Sequence, residues 1–286
     1  MQSQAFFLPA KSPATGQRFC LHYPAEGDVH RGQVLYIHPF AEEMNKARRM
    51  AALQARALAQ AGFSVLQIDL LGCGDSSGDF GDATWQSWVN DAVHACQWLR
   101  SQTQPGDKKD ALPLWLWGLR AGCLVAVDAA KQLNEPCHFL FWQPPAAGKP
   151  LLQQFLRLKV AADMLGGQSK GVMEAMRQEL ANGSPVEVAG YMLSASLATG
   201  LDRAKLAFPV APPGSQASQV EWFEVSTRDD ASLSPVSTQT VASWQTAGIA
   251  VNSHVVKGPS FWQTTEIEDA PALIEATTAA LMKAAA

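Results

Sequence analysis

The sequence predicts an α/β fold in which helices flank a mostly parallel central sheet, with a helical cap inserted late in the chain. Three observations carry this. Short continuous apolar runs alternate with segments of helical period, the pattern of strands buried on both faces. The 286 residues, 47% hydrophobic and 17% charged, suffice for one large α/β domain or one domain plus an insertion, and argue against disorder. The alternation breaks between Gly148 and Gln219, where helical patterns run on without strands. The expected organisation is a core over 1–147, a cap over 148–219 and the rest of the core over 220–286.

Each element has its own signal. FFLPA and RFCLHYP read as antiparallel edge strands, and QVLYIH (Gln33 to His38) as the first buried strand. A helical pattern runs from Lys46 to Ala61 and stops at Gly62, a C-cap residue. FSVLQIDL (Phe63 to Leu70) is the second buried strand. Trp85 to Arg100 is amphipathic, with Asp82 or Thr84 as its cap. PLWLWG is the third strand, Ala121 to Leu133 the helix after it, and HFLFWQP (His138 to Pro144) the fourth strand. In the cap, LLQQFLRLKVAADML, VMEAMRQELA and GYMLSASLATGL have helical period, and VAPPGSQASQ is the return linker. VEWFEVS and IAVNSHVV are the last strands, followed by helices near Ser237 to Thr246 and Pro271 to Ala284.

Composition excludes several function classes. The formal charge is −4 and no Lys/Arg block is present, which argues against nucleic acid. No apolar stretch is long enough to span a bilayer, and MQSQAFFLPAKSPATGQ lacks the basic head and long apolar segment of a signal peptide. Cys20, Cys73, Cys96, Cys123 and Cys137 are scattered, odd in number and without a CxxC pair. They read as reduced thiols of a cytoplasmic protein rather than a disulfide frame or a zinc site, and no metal or cofactor is expected.

The chemistry centres on LWLWGLRAGCLVA, Leu114 to Ala126. An apolar strand, two glycines four residues apart and a small-residue helix have the form of a nucleophile elbow, Gly-x-Ser-x-Gly, but Arg120 holds the serine position. A guanidinium stays protonated and cannot be a nucleophile. Beside the N–H groups of a helix start it makes an anion-binding position instead. The plainer reading, a close strand–helix crossing with Arg120 paired to a carboxylate, stays open. HPFAEEMNKARR follows the first buried strand. There Phe40 and Ala121 can supply backbone N–H donors to an oxyanion, and Glu42 or Glu43 can meet Arg120 or simply open a helix. DLLGCGDSSGDF lacks GxGxxG spacing and reads as a structural turn, with Cys73 a remote rival nucleophile. Asp229 or Asp230, after the strand ending at Ser226, fits a triad acid or a solvated turn. A triad histidine belongs near Gly258, where Pro259, Ser260, Phe261 and Trp262 stand; His254 lies inside the strand.

HPFAEEMNKARRM, DLLGCGDSSGDFGDATWQSW, LWGLRAG, FWQPPAAGKPLLQQFLRL, VEVAGYMLS and GPSFWQTTEI together resemble a branch of the α/β-hydrolase superfamily, the exosortase A system-associated hydrolase 2 proteins. The resemblance runs from about residue 34 to the C-terminus. It implies an α/β-hydrolase fold, an arginine as the usual elbow residue, and a setting beside bacterial exopolysaccharide and protein-sorting genes. The hydrolase label follows fold and is itself an analogy. Three functions follow. The first is a non-catalytic or non-classical protein binding a small anionic or carbonyl-bearing ligand. Its pocket comprises His38, Phe40, Glu42, Glu43, Arg120, Ala121, Trp142, Phe261 and Trp262. The second is an ester or thioester hydrolase in which Glu43 or Asp229 activates water and Arg120 stabilises the oxyanion. The third is an envelope or exopolysaccharide scaffold whose protein partner meets Phe155 and Leu156 of the cap.

Overall fold

A computed structural model describes residues 3–12, 14–102, 112–133, 135–165, 171–207 and 218–285. Eight strands form one sheet: β1 (Gln4–Pro9), β2 (Gln17–Tyr23), β3 (Gly32–Ile37), β4 (Phe63–Ile68), β5 (Leu114–Leu119), β6 (His138–Trp142), β9 (Gln219–Ser226) and β10 (Ala250–Lys257). Their order is β1-β2-β4-β3-β5-β6-β9-β10. Only the pairings made by β2, with β1 and with β4, are antiparallel. From β4 to β10 the sheet is parallel, as continuous apolar strands require.

Side chains alternate along each central strand between two cores. Leu114 and Leu116 of β5 join Leu35, Ile37, Phe139 and Phe141 on one face. Trp115, Trp117 and Leu119 join Val34, Tyr36, Leu140 and Trp142 on the other. The first core is covered by α2 (Trp85–Ser101) and α3 (Ala121–Ala130), the second by α1 (Glu42–Gln60) and α8 (Pro271–Ala284). Helix α7 (Pro235–Thr246) joins β9 to β10. Thr84, not Asp82, caps α2, accepting from the Ser87 N–H while the Ser87 hydroxyl bonds back to the Thr84 N–H. All five cysteines are buried free thiols.

Two expectations are corrected. Helix α1 begins at Glu42, four residues before the predicted start at Lys46. Its N-cap residue, Ala41, has no capping side chain; a tight turn, with no sequence signal for capping, starts the helix. The stretch between β6 and β9 is not purely helical. It carries α4 (Gly148–Leu165), α5 (Val172–Ala181) and α6 (Ala195–Arg203), and also a hairpin of β7 (Val186–Val188) and β8 (Tyr191–Leu193). The GYMLSASLATGL segment is therefore a strand and then a helix, divided at Ser194, which caps α6. Most of the predicted return linker, over 210–217, lies outside the described residues. No helix among the described residues is long and apolar enough to cross a membrane.

Candidate ligand site at the strand-to-helix elbow

Between β5 and α3 the chain reverses on one residue. Arg120 has φ 54° and ψ −119°, a conformation costly for a residue with a Cβ. Two backbone bonds hold it: the Arg120 N–H donates to the Trp142 carbonyl at 3.0 Å, and the Arg120 carbonyl accepts from the Cys123 N–H at 3.0 Å. The flanking glycines are required by close approach. A Cβ on Gly118 would lie 2.4 Å from the Cys123 nitrogen, and one on Gly122 would lie 2.1 Å from the Ile37 carbonyl oxygen. The turn lifts the Arg120 side chain to the end of the sheet, beside the N-terminus of α3. A turn of the same kind follows β3. Ala41, at φ 48° and ψ −124°, sends the chain into α1 and brings Glu42 and Glu43 to the same place.

Arg120 is nearly enclosed. Its Nη2 donates to Glu43 Oε1 at 3.1 Å and its Nε lies 3.3 and 3.4 Å from the two Glu43 oxygens. Nη2 also donates to Gln154 Oε1 of α4 at 2.9 Å. The guanidinium carbon stands 6.0 Å from the Trp262 ring centre, the outer limit of a cation–π contact. Gln263 Nε2 donates to Glu43 Oε1 at 3.4 Å. Burial pushes the Glu43 carboxyl above its ordinary range, and the Arg120 charge opposes the shift. Burial raises Glu42 as well, and its Oε2 is buried with no hydrogen-bond partner among the described residues.

These groups line a cleft with Phe40, Leu151 and Phe155. Its volume is about 10 Å³, room for about one water molecule. Aromatic rings close it. Phe40 meets Phe80, Trp88 and Phe155 edge-on at 5.5, 5.7 and 5.1 Å, and Tyr191 meets Phe80 at 5.1 Å. Phe155 and Leu156 are 3% and 2% exposed, so both pack inward and offer no face to a partner.

Of the expected pocket residues, the structure brings Phe40, Glu42, Glu43 and Arg120 together. Ala121 is the buried first residue of α3. Trp262 backs the guanidinium. The other three do not line the cleft. His38 is buried, with Nδ1 2.8 Å from the Pro39 carbonyl and Nε2 accepting from the Leu70 N–H at 3.3 Å; burial lowers its pKa, so it is a neutral core residue. Trp142 donates from Nε1 to Thr277 at 3.0 Å and packs on Phe261, both within the second core.

The acids after β9 point away from Arg120. Asp229 pairs with Lys257 at 2.6 Å and Asp230 with Arg228 at 3.2 Å, their side chains 84% and 79% exposed. His254 is engaged by Glu221 at 2.8 Å and stacks on Phe223. Cys73 is buried in the turn after β4, where burial drives its thiol far above the ordinary range; it is no nucleophile. Sequence reasoning missed Gln154 and Gln263. Each lies inside a segment quoted for the family resemblance, FWQPPAAGKPLLQQFLRL and GPSFWQTTEI, which gave it no role, and only the packing of those segments brings the amides to Arg120 and Glu43.

Strand order, a single reversed strand, an elbow after β5 and an insertion after β6 define an α/β-hydrolase fold. The chain belongs to the family described as serine aminopeptidase, S33, which matches residues 28–177, just over half its length. It is similar to a soluble variant of monoglyceride lipase from Saccharomyces cerevisiae, with a TM-score of 0.63 and 15% identity over 99% of this chain and 96% of that one. It is similar also to a highly thermostable carboxyl esterase from Bacillus coagulans, with a TM-score of 0.61 and 15% identity over 99% and 97%. At such identities the likeness is one of fold. Human Protein ABHD12B is 31% identical over 102 residues, which span 36% of this chain and only 25% of that protein. Within this serine-named family, Arg120 stands where the elbow motif has its serine.

Proposed function

We propose that this chain is a non-catalytic or non-classical α/β-hydrolase-fold protein that binds a small anionic or carbonyl-bearing ligand at Arg120. Its resemblance to exosortase-associated hydrolases makes it a cytoplasmic accessory of an exopolysaccharide or protein-sorting system. The carrying observation is the guanidinium at the elbow apex, beside a helix N-terminus and neutralised by Glu43. An anionic ligand would replace Glu43 or Gln154 as acceptor, two groups that arginine recognises as it does a ligand carboxylate. Because the cleft holds about 10 Å³, binding requires α4 to move and release Gln154. In this reading the segment between β6 and β9 acts as a cap.

One observation favours a second reading, hydrolysis of an ester or thioester. Glu42, whose Oε2 is buried without a hydrogen-bond partner among the described residues, lines with Arg120 a cleft of one-water size. Glu43 is engaged by Arg120 and Asp229 by Lys257, so Glu42 is the carboxylate left to activate water, with Arg120 stabilising the oxyanion.

The deciding experiment is hydrolysis of a panel of acyl esters and thioesters by purified protein beside Arg120→Ala prepared identically. Equal background in both, with saturable binding of a carboxylate that has no alkyl chain (acetate) in the wild type alone, is expected. Turnover in the wild type that disappears in the variant would overturn the binding reading and establish the enzyme.

A further inference from the structure

The two faces of α4 look onto different spaces. Leu151, Gln154 and Phe155 face the elbow cleft. Lys149, Leu152 and Leu156 face a separate groove between α4, α5 and α6, as the three-to-four-residue helical spacing requires. This groove has a volume of about 550 Å³, within the range of roughly 300–1,000 Å³ typical of small-molecule sites. Its floor is apolar: Leu152 and Leu156 are 8% and 2% exposed, and Leu180 packs beside them. Its rim carries three cations, one from each helix: Lys149 of α4, Arg177 of α5 and Arg203 of α6. Asp202 is the one acid among the described residues that line it. Among the described residues, no ion pair engages any of these four.

We infer that this groove binds a free, single-chain amphiphile with an anionic head, of the medium- to long-chain carboxylate class. The alkyl chain lies on the leucine floor, removing apolar surface from water. The carboxylate meets Arg177 and Arg203, whose guanidinium groups suit it better than any uncharged head. Three cations against one acid give the rim the complementary sign. A neutral apolar ligand would leave that excess unused, and an anion without a chain would leave most of the groove unfilled. The site stands on the far side of α4 from Arg120 and is independent of the elbow.

Calorimetric titration of the full chain with monomeric decanoate tests this, beside decanol and beside the double variant Arg177→Glu, Arg203→Glu. Both arginines are exposed, and a thermal melt of the variant checks that it folds. Saturable decanoate binding is expected. Charge reversal should weaken it about tenfold or more, decanol should bind more weakly than decanoate, and Arg120→Ala should leave the affinity within about twofold. No saturable binding, equal binding by the double variant, or loss of binding in Arg120→Ala would overturn the proposal; the last would move the ligand to the elbow. Binding to anionic phosphatidylglycerol vesicles without binding of monomeric decanoate would also overturn it, making the cationic rim a membrane contact.

Discussion

On the β5 side of the site, the backbone of a nucleophile elbow is intact: Arg120 holds φ 54° and ψ −119° between two glycines crowded by neighbouring backbone. On the β9–β10 side, where an acid and a histidine would serve such a nucleophile, no histidine stands in the turn after β10 and the acids after β9 are exposed. Asp229 and Asp230 pair with Lys257 and Arg228 in solvent, and the turn after β10 presents Trp262 and Gln263. The contrast separates two constraints. The elbow is a packing requirement: α3 crosses β3 and β5 too closely for any side chain at its glycines, whatever the apex residue does. The loop positions carry no such requirement, so only chemistry would hold an acid or histidine there. The second side has instead become support for an arginine–glutamate pair.

The largest expected effect lies on the packed side. Gly122→Ala would place a methyl group 2.1 Å from the Ile37 carbonyl oxygen, and backbone cannot yield as a flexible side chain does. A loss of at least about 3 kcal/mol in urea unfolding, or failure to fold, is expected. Near-wild-type stability would break the claim that the crossing dictates the elbow.

Next comes the ion pair of Arg120 with Glu43 of α1, which the second side supports through Trp262 and Gln263. The Arg120 and Glu43 side chains are 13% and 8% exposed, so Glu43→Ala leaves a cation nearly buried with only Gln154 as acceptor. A loss of about 3 kcal/mol is expected, largely recovered when Arg120→Met is added. The pH dependence sharpens this. Glu43 is raised above the ordinary carboxylate value of 4.5, so the native state keeps a proton that the unfolded chain has released. The stability that this group contributes is therefore full below about 4.5 and lost as pH rises through the raised value. The difference in unfolding free energy between wild type and Glu43→Gln should fall with rising pH over that window. A difference that rises would mean that Arg120 outweighs burial.

The smallest effects belong to the outward side. Arg120→Ser restores the nucleophile's residue type without a base, because His38 is sealed in the core and His254 is held on β10. Fluorophosphonate labelling at position 120 should stay at background. Asp229→Asn should leave stability within about 0.5 kcal/mol of its parent and should not alter that labelling. Labelling that appears in Arg120→Ser and falls with Asp229→Asn would reinstate the β9 acid as a functional partner.

Much of this was legible in the sequence. Continuous apolar runs announced a parallel sheet; the structure adds that LWLWGL alternates, with Leu114 and Leu116 in one core and Trp115, Trp117 and Leu119 in the other. The glycine spacing around Arg120 announced the elbow, and the residue at its apex excluded a serine nucleophile at that position before any coordinates. The adjacency of Glu43 and Arg120 stood as one of the open readings, because parallel strands of one sheet deliver their following turns to the same end, and β3 and β5 are neighbours in it. The sequence did not reveal the early start of α1, since a turn at Ala41 has no composition signal, or the β7–β8 hairpin, whose two strands have three residues each and too few side chains to show a period. Tertiary structure alone decided which way the loop acids point, that Gln154 and Gln263 complete the shell of the ion pair, and that α4 separates a closed cleft from an open groove. Periodicity is a property of neighbours along the chain. Contacts such as Arg120 to Gln154, or Glu43 to Gln263 across 220 positions, depend on how whole elements pack, and no local pattern records that.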